Sequence, residues 1–120
     1  MTGTVDNSRR AIIRIRLRHP NSGKETELDA WVDTGFTGEL VLPQQQVVQL
    51  DLPLGPAVQA GLADGSEVQL DTHTCLVHWF GEWKRIEVVA NQGRFALLGV
   101  GLLLERELTI NYRSRELSVD

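Results

Sequence analysis

Asp33-Thr34-Gly35 is the stretch of this sequence best equipped for chemistry. It sits inside WVDTGFTGELVLP, Trp31 to Pro43, between two apolar runs that read as strands. An aspartate at the mouth of an apolar strand is partly withdrawn from water, and a carboxylate there needs donors or a partner. Thr34 offers a hydroxyl, and Gly35 lets the backbone turn closely and aim amides at the carboxylate. Such a carboxylate on a rigid loop can act as a general acid or base. The same triplet also fits a hairpin turn capped by its own aspartate. Average composition gives the triplet about once in 6,000 positions. In a chain of 120 residues it is suggestive, and both readings stand.

The other candidates point elsewhere. His73 and His78 fall on opposite faces of one strand by their odd-even offset, and neither belongs to a second ligand pair, so no metal site is expected. Cys75 lies within the same strand run and reads as a buried, inert thiol rather than a nucleophile. Trp31, Trp79 and Trp83 have no basic groove beside them and read as core or interface, not as a base-stacking platform. Glu25, Glu27, Asp29, Asp71, Glu82, Glu105 and Glu107 fall at polar positions and read as solvated. Arg14, Arg16 and Arg18 alternate with Ile13, Ile15 and Leu17, the pattern of a strand's wet face rather than of a phosphate stripe.

Whole-chain properties narrow the class. The net charge of −4 gives no electrostatic footprint for nucleic acid. No apolar run has the length of a membrane span, and no secretory signal is visible at the N-terminus. The lone cysteine precludes an intrachain disulfide and favours a reducing, cytoplasmic setting.

The elements that must position Asp33 are mostly strands. Residues 1–9 are polar and without periodicity, and are expected to be a flexible segment ahead of one domain over 10–120. Strands are expected over 11–18, 26–32 and 39–43, with two helical turns over 44–50. Residues 57–62 and 67–80 read as a hairpin whose tip, Ala63-Asp64-Gly65-Ser66, carries a strong Asp-Gly turn signal. Further strands are expected over 82–90 and 94–99, a short amphipathic helix over 100–107, and two terminal strands. Many short strands with turns between them indicate a mainly β fold, closed or sandwich-like, with one or two short helices.

Three stretches taken together resemble the retropepsin-type aspartic proteases, and more closely their small single-domain bacterial and archaeal clan AA members. These are Asp33-Thr34-Gly35, the Ala63-to-Ser66 hairpin tip, and Leu97-Leu98-Gly99 leading into residues 100–107, in that order. The resemblance spans residue 10 to the end. It departs from many retropepsins at Phe36, where a small residue is usual. It implies a retropepsin-like closed β-barrel and an endopeptidase in which two aspartates activate one water. With a single Asp-Thr-Gly per chain, the second aspartate must come from a second copy, so a homodimer is implied.

On this resemblance Asp33 is the acid–base, Thr34 bonds across the dimer axis, and Gly35 supplies an amide to the carboxylate. Ala63, Asp64, Gly65 and Ser66 form a flap over a peptide or protein substrate, with Phe36 in the cleft. Leu97, Leu98 and Gly99 support the active loop, Gly99 because a Cβ would clash there. No cofactor, metal, nucleic acid or membrane partner is implied. Two alternatives remain: a dimeric module of the same fold that holds peptides without cleaving them, and an unrelated small barrel in which Asp33-Thr34-Gly35 is only a turn.

Overall fold

The computed structural model describes residues 1–120, the Ala60 side chain excepted. Its strands, in chain order, begin with β1 (Thr2–Val5), β2 (Ala11–Arg18), β3 (Glu25–Val32) and β4 (Leu40–Pro43), followed by helix α1 (Gln44–Leu50). Next come β5 (Val58–Gly61), β6 (Glu67–Leu70), β7 (Thr72–Trp79), β8 (Glu82–Asn91) and β9 (Ala96–Leu98). Helix α2 (Val100–Leu103), β10 (Leu108–Asn111) and β11 (Glu116–Val119) complete the chain. No helix among the described residues is long and apolar enough to cross a membrane.

Six strands close into a mixed barrel in the order β2-β3-β9-β4-β8-β7, and the pairing of Leu17 and Arg18 with Val77 and Leu76 joins β7 back to β2. Strict alternation on β2 drives this closure: Ala11, Ile13, Ile15 and Leu17 are buried while Arg14 and Arg16 are exposed. From the other strands Leu40, Leu42, Val77, Ile86, Val88 and Leu98 fill the same interior. α1 adds Val47 and Leu50, three residues apart on one helix face, to that core.

The outward arginines of β2 are matched by acids in register on β3. Arg14 pairs with Asp29 at 3.3 Å, and Glu25 takes Arg16 at 3.1 Å and Arg18 at 3.3 Å. Their charge is therefore compensated within the sheet, in keeping with a wet strand face.

Two expectations are corrected. Residues 2–5 form a strand, β1, which pairs on one side with β11 and on the other with β2. The pairing is possible despite the polar sequence because strand hydrogen bonds come from the backbone, and Val5 is buried. The run over 67–80 is not one strand. It breaks at Asp71, so that β6 pairs only with β5 in a separate two-stranded sheet while β7 turns into the barrel. That break frees the β5–β6 hairpin from the barrel wall.

Candidate active site

β3 delivers Asp33. Ala30 and Val32 face the core, so alternation turns Trp31 and Asp33 to the other side. The chain that leaves Asp33 does not fold back as a hairpin partner of β3. β9 lies between the two strands instead, parallel to β3 (Trp31 opposite Leu97, Val32 opposite Leu98) and antiparallel to β4 (Leu40 opposite Leu98). The residue-33 turn thus spans a third strand, so it does not join β3 and β4 as a hairpin.

The loop over residues 33–39 is fastened to the segment after β9 by backbone bonds. The Asp33 amide donates to the Leu98 carbonyl at 2.9 Å, and the Gly99 amide to Glu39 at 3.0 Å. Val100 and Gly101 donate to Phe36 and Gly38, each at 2.9 Å. Gly99 is buried, and a Cβ there would meet the Gly38 carbonyl oxygen and the Phe36 ring. Its φ of −94° is open to any residue, so close approach alone selects glycine.

Within the loop, the Gly35 amide donates to Asp33 Oδ1 at 2.9 Å, and the Phe36 amide to the Asp33 carbonyl at 3.2 Å. Asp33 is half-buried, and Thr34 and Gly35 are exposed. A small open pocket at the aspartate is lined by Trp31, Val32, Asp33 and Leu97. Leu97 therefore faces this pocket, whereas Leu98 is fully buried beneath the loop. Trp31 is 39% exposed, held edge-on against Phe95 at 6.2 Å, with the Arg10 guanidinium 4.2 Å over the Phe95 ring. Arg10 is itself clipped by Asp6 at 2.8 Å. This aromatic wall was legible only as three scattered residue types; nothing in their spacing joined them.

The β5–β6 hairpin ends in a tight turn. Leu62 donates to Ser66 at 2.8 Å and Gly65 to Leu62 at 3.0 Å, with Gly65 at a φ of +87° that favours glycine. The Ser66 hydroxyl and amide both donate to the Asp64 carboxylate and hold its pKa below the ordinary value. Ala63, Asp64, Gly65 and Ser66 are all exposed, and the hydrogen bonds of this tip stay within the turn. What reaches the residue-33 loop is the base of the hairpin: Val58 and Gln59 line a second pocket together with Phe36, Thr37 and Gly38. Phe36 thus borders this pocket while its ring also covers Gly38 and Gly99.

That second pocket contains two acids that sequence patterning did not single out. Glu39 and Glu87 both line it. Glu87 is drawn in by Thr74, its cross-strand partner, whose hydroxyl donates to Oε2 at 2.9 Å. Burial raises the Glu39 pKa; the Glu87 amide, bonded to Oε1 at 3.4 Å, and the Lys84 charge oppose that rise, and the Glu87 charge adds to it. Cys75, by contrast, is sealed in the core, and burial pushes its thiol up to about 11, which leaves it protonated and unreactive at neutral pH.

No family model matches the sequence, and no curated protein matches it. Solved structures do. A retropepsin-like aspartic protease from Rickettsia conorii superposes with a TM-score of 0.64 at 19% identity, over 98% of this chain and 86% of that one. The EIAV protease complexed with the inhibitor HBY-793 superposes with a TM-score of 0.55 at 17% identity, over 85% and 92% respectively. At such identities the likeness is one of architecture. The chain has the retropepsin-like fold of these aspartic proteases.

Proposed function

We propose that this protein is an aspartic endopeptidase whose active site forms between two copies of the chain, each contributing Asp33. The observation that carries the proposal is the mounting of Asp33. It projects from β3 beside an open pocket, on a loop bonded at several points to residues 98–101, in a fold shared with aspartic proteases. One chain offers one such aspartate, and a twofold axis beside the loop supplies the other.

Two carboxylates brought within a few ångströms cannot both ionise cheaply, so the pair holds one proton. The ionised member takes a proton from a water as that water attacks the peptide carbonyl carbon. The protonated member gives its proton to the carbonyl oxygen, and a tetrahedral diol results. On collapse the C–N bond breaks, the amine nitrogen takes a proton, and the pair again holds one. In this scheme the Gly35 amide fixes the Asp33 carboxylate and Thr34 braces the paired loops across the axis. Leu97 and Leu98 with Gly99 support the loop from below. The tip Ala63-Asp64-Gly65-Ser66 closes over the peptide and excludes water, with Phe36 bordering the cleft. The scheme needs no cofactor or metal.

Asp33→Asn is the test. The variant keeps the acceptor for the Gly35 amide but can carry no negative charge, so peptide hydrolysis is expected to vanish while fold and assembly persist. Cleavage at the parent rate would mean that another group does the chemistry. A parent protein that binds peptides yet hydrolyses none at any pH would mean a binding module instead.

A further inference from the structure

We infer that the pocket between the active loop and the hairpin base selects substrates with a basic side chain, lysine or arginine, through Glu39 and Glu87. The inference rests on the peptidase reading above and names the substrate class of that same site.

The pocket of about 230 Å³ has the two surfaces that a long cationic side chain requires. Phe36, Val58 and Val89 offer apolar contact for a methylene stem. Glu39 and Glu87 bring two carboxylates to a lining that contains no lysine or arginine. Elsewhere in the chain acids facing arginines are paired, as Asp6, Glu25 and Asp29 are; neither Glu39 nor Glu87 joins an ion pair among the described residues. Lys84 is near enough to favour the ionised form of Glu39 but makes no such pair with it.

Both carboxylates are held in place and half used. Glu87 Oε2 takes the Thr74 hydroxyl at 2.9 Å, while the neighbouring Thr72 hydroxyl donates to the Pro56 carbonyl. Gly55 packs so closely on Glu87 Oε2 that a Cβ at Gly55 would collide with it. Glu39 Oε1 takes the Glu87 amide at 3.4 Å. The remaining oxygens, Glu39 Oε2 and Glu87 Oε1, accept no hydrogen bond among the described residues. Two fixed, partly desolvated like charges repel, and burial already raises the proton affinity of Glu39. An ammonium or guanidinium head placed between them replaces repulsion with two charge-assisted hydrogen bonds, without further ordering of the protein.

The experiment compares matched peptides that differ only by lysine against norleucine at one position near the scissile bond, scanned along the peptide. Hydrolysis is read as kcat/KM, and binding is read by calorimetry on the same pairs with the scissile amide reduced. At one position lysine is expected to be favoured by about tenfold or more. Glu39→Gln with Glu87→Gln is expected to bring the ratio near one while norleucine peptides are still cleaved. The ratio is internal to each variant, so a general loss of stability does not mimic the effect. Cleavage with no lysine preference at any position overturns the pocket assignment and leaves the peptidase standing. Binding with lysine preference but no cleavage supports the pocket and overturns the peptidase. Neither cleavage nor selective binding overturns both.

Discussion

A methyl group at position 99 would run into the Phe36 ring and into the Gly38 and Phe36 carbonyls, which accept the Gly101 and Val100 amides that fasten the residue-33 loop. Gly99→Ala is therefore expected to cost about 1–3 kcal/mol, the usual range for forcing an extra carbon into a packed site. Urea unfolding measures it, and a neutral substitution would mean that the loop sits less closely on β9 than described. Glu39 makes a different prediction. Its folded pKa lies above the unfolded one, chiefly through burial, so the folded state binds more protons between the two values. Stability is then lost as pH rises through that window. Glu39→Gln is expected to gain on the parent at pH 7 and to lose that advantage below about pH 4, where both side chains are uncharged. Urea midpoints at the two pH values check this, and an equal difference at both would contradict it. Asp33 and Gly35 were legible in the sequence because they are members of one triplet, whereas Gly99 stands out only through the resemblance, since what selects glycine there is contact with Gly38 and Phe36, far earlier in the chain. Glu39 and Glu87 were not legible, because they lie 48 positions apart and only the parallel pairing of β4 with β8 brings them together.

Among the elements, the β5–β6 hairpin stands apart. It forms its own two-stranded sheet and leaves Leu62 and Val68 exposed, so little buried surface depends on its tip. Deleting Asp64 and Gly65, or replacing Gly65 with proline, which cannot adopt its positive φ, is expected to depress turnover far more than melting temperature. A large fall in melting temperature with turnover retained would make the hairpin a structural element instead. Strand periodicity revealed β2, β3, α1 and β8 because their alternation or helical spacing survives within each segment. It missed β1, whose pairing is set by backbone bonds to the far end of the chain, and the break at Asp71, where one apolar run serves two sheets. It also gave no sign that β9 would slip between β3 and β4, since a parallel partner 66 positions away leaves no local mark.

At the scale of the whole molecule the account turns on two chains sharing one site. If each site needs one Asp33 from each copy, a dimer of a parent chain with an Asp33→Asn chain is dead. Equal amounts of the two proteins, allowed to exchange subunits at fixed total concentration, then retain about a quarter of the activity of the all-parent sample, because only parent–parent dimers work. Activity plotted against the parent fraction follows its square. A site complete within one chain instead gives about half the activity at equal mixing and a straight line throughout. Subunit exchange followed by a peptide-hydrolysis assay makes the distinction. A quadratic fall supports the shared Asp33 pair, and a linear fall after verified exchange contradicts it.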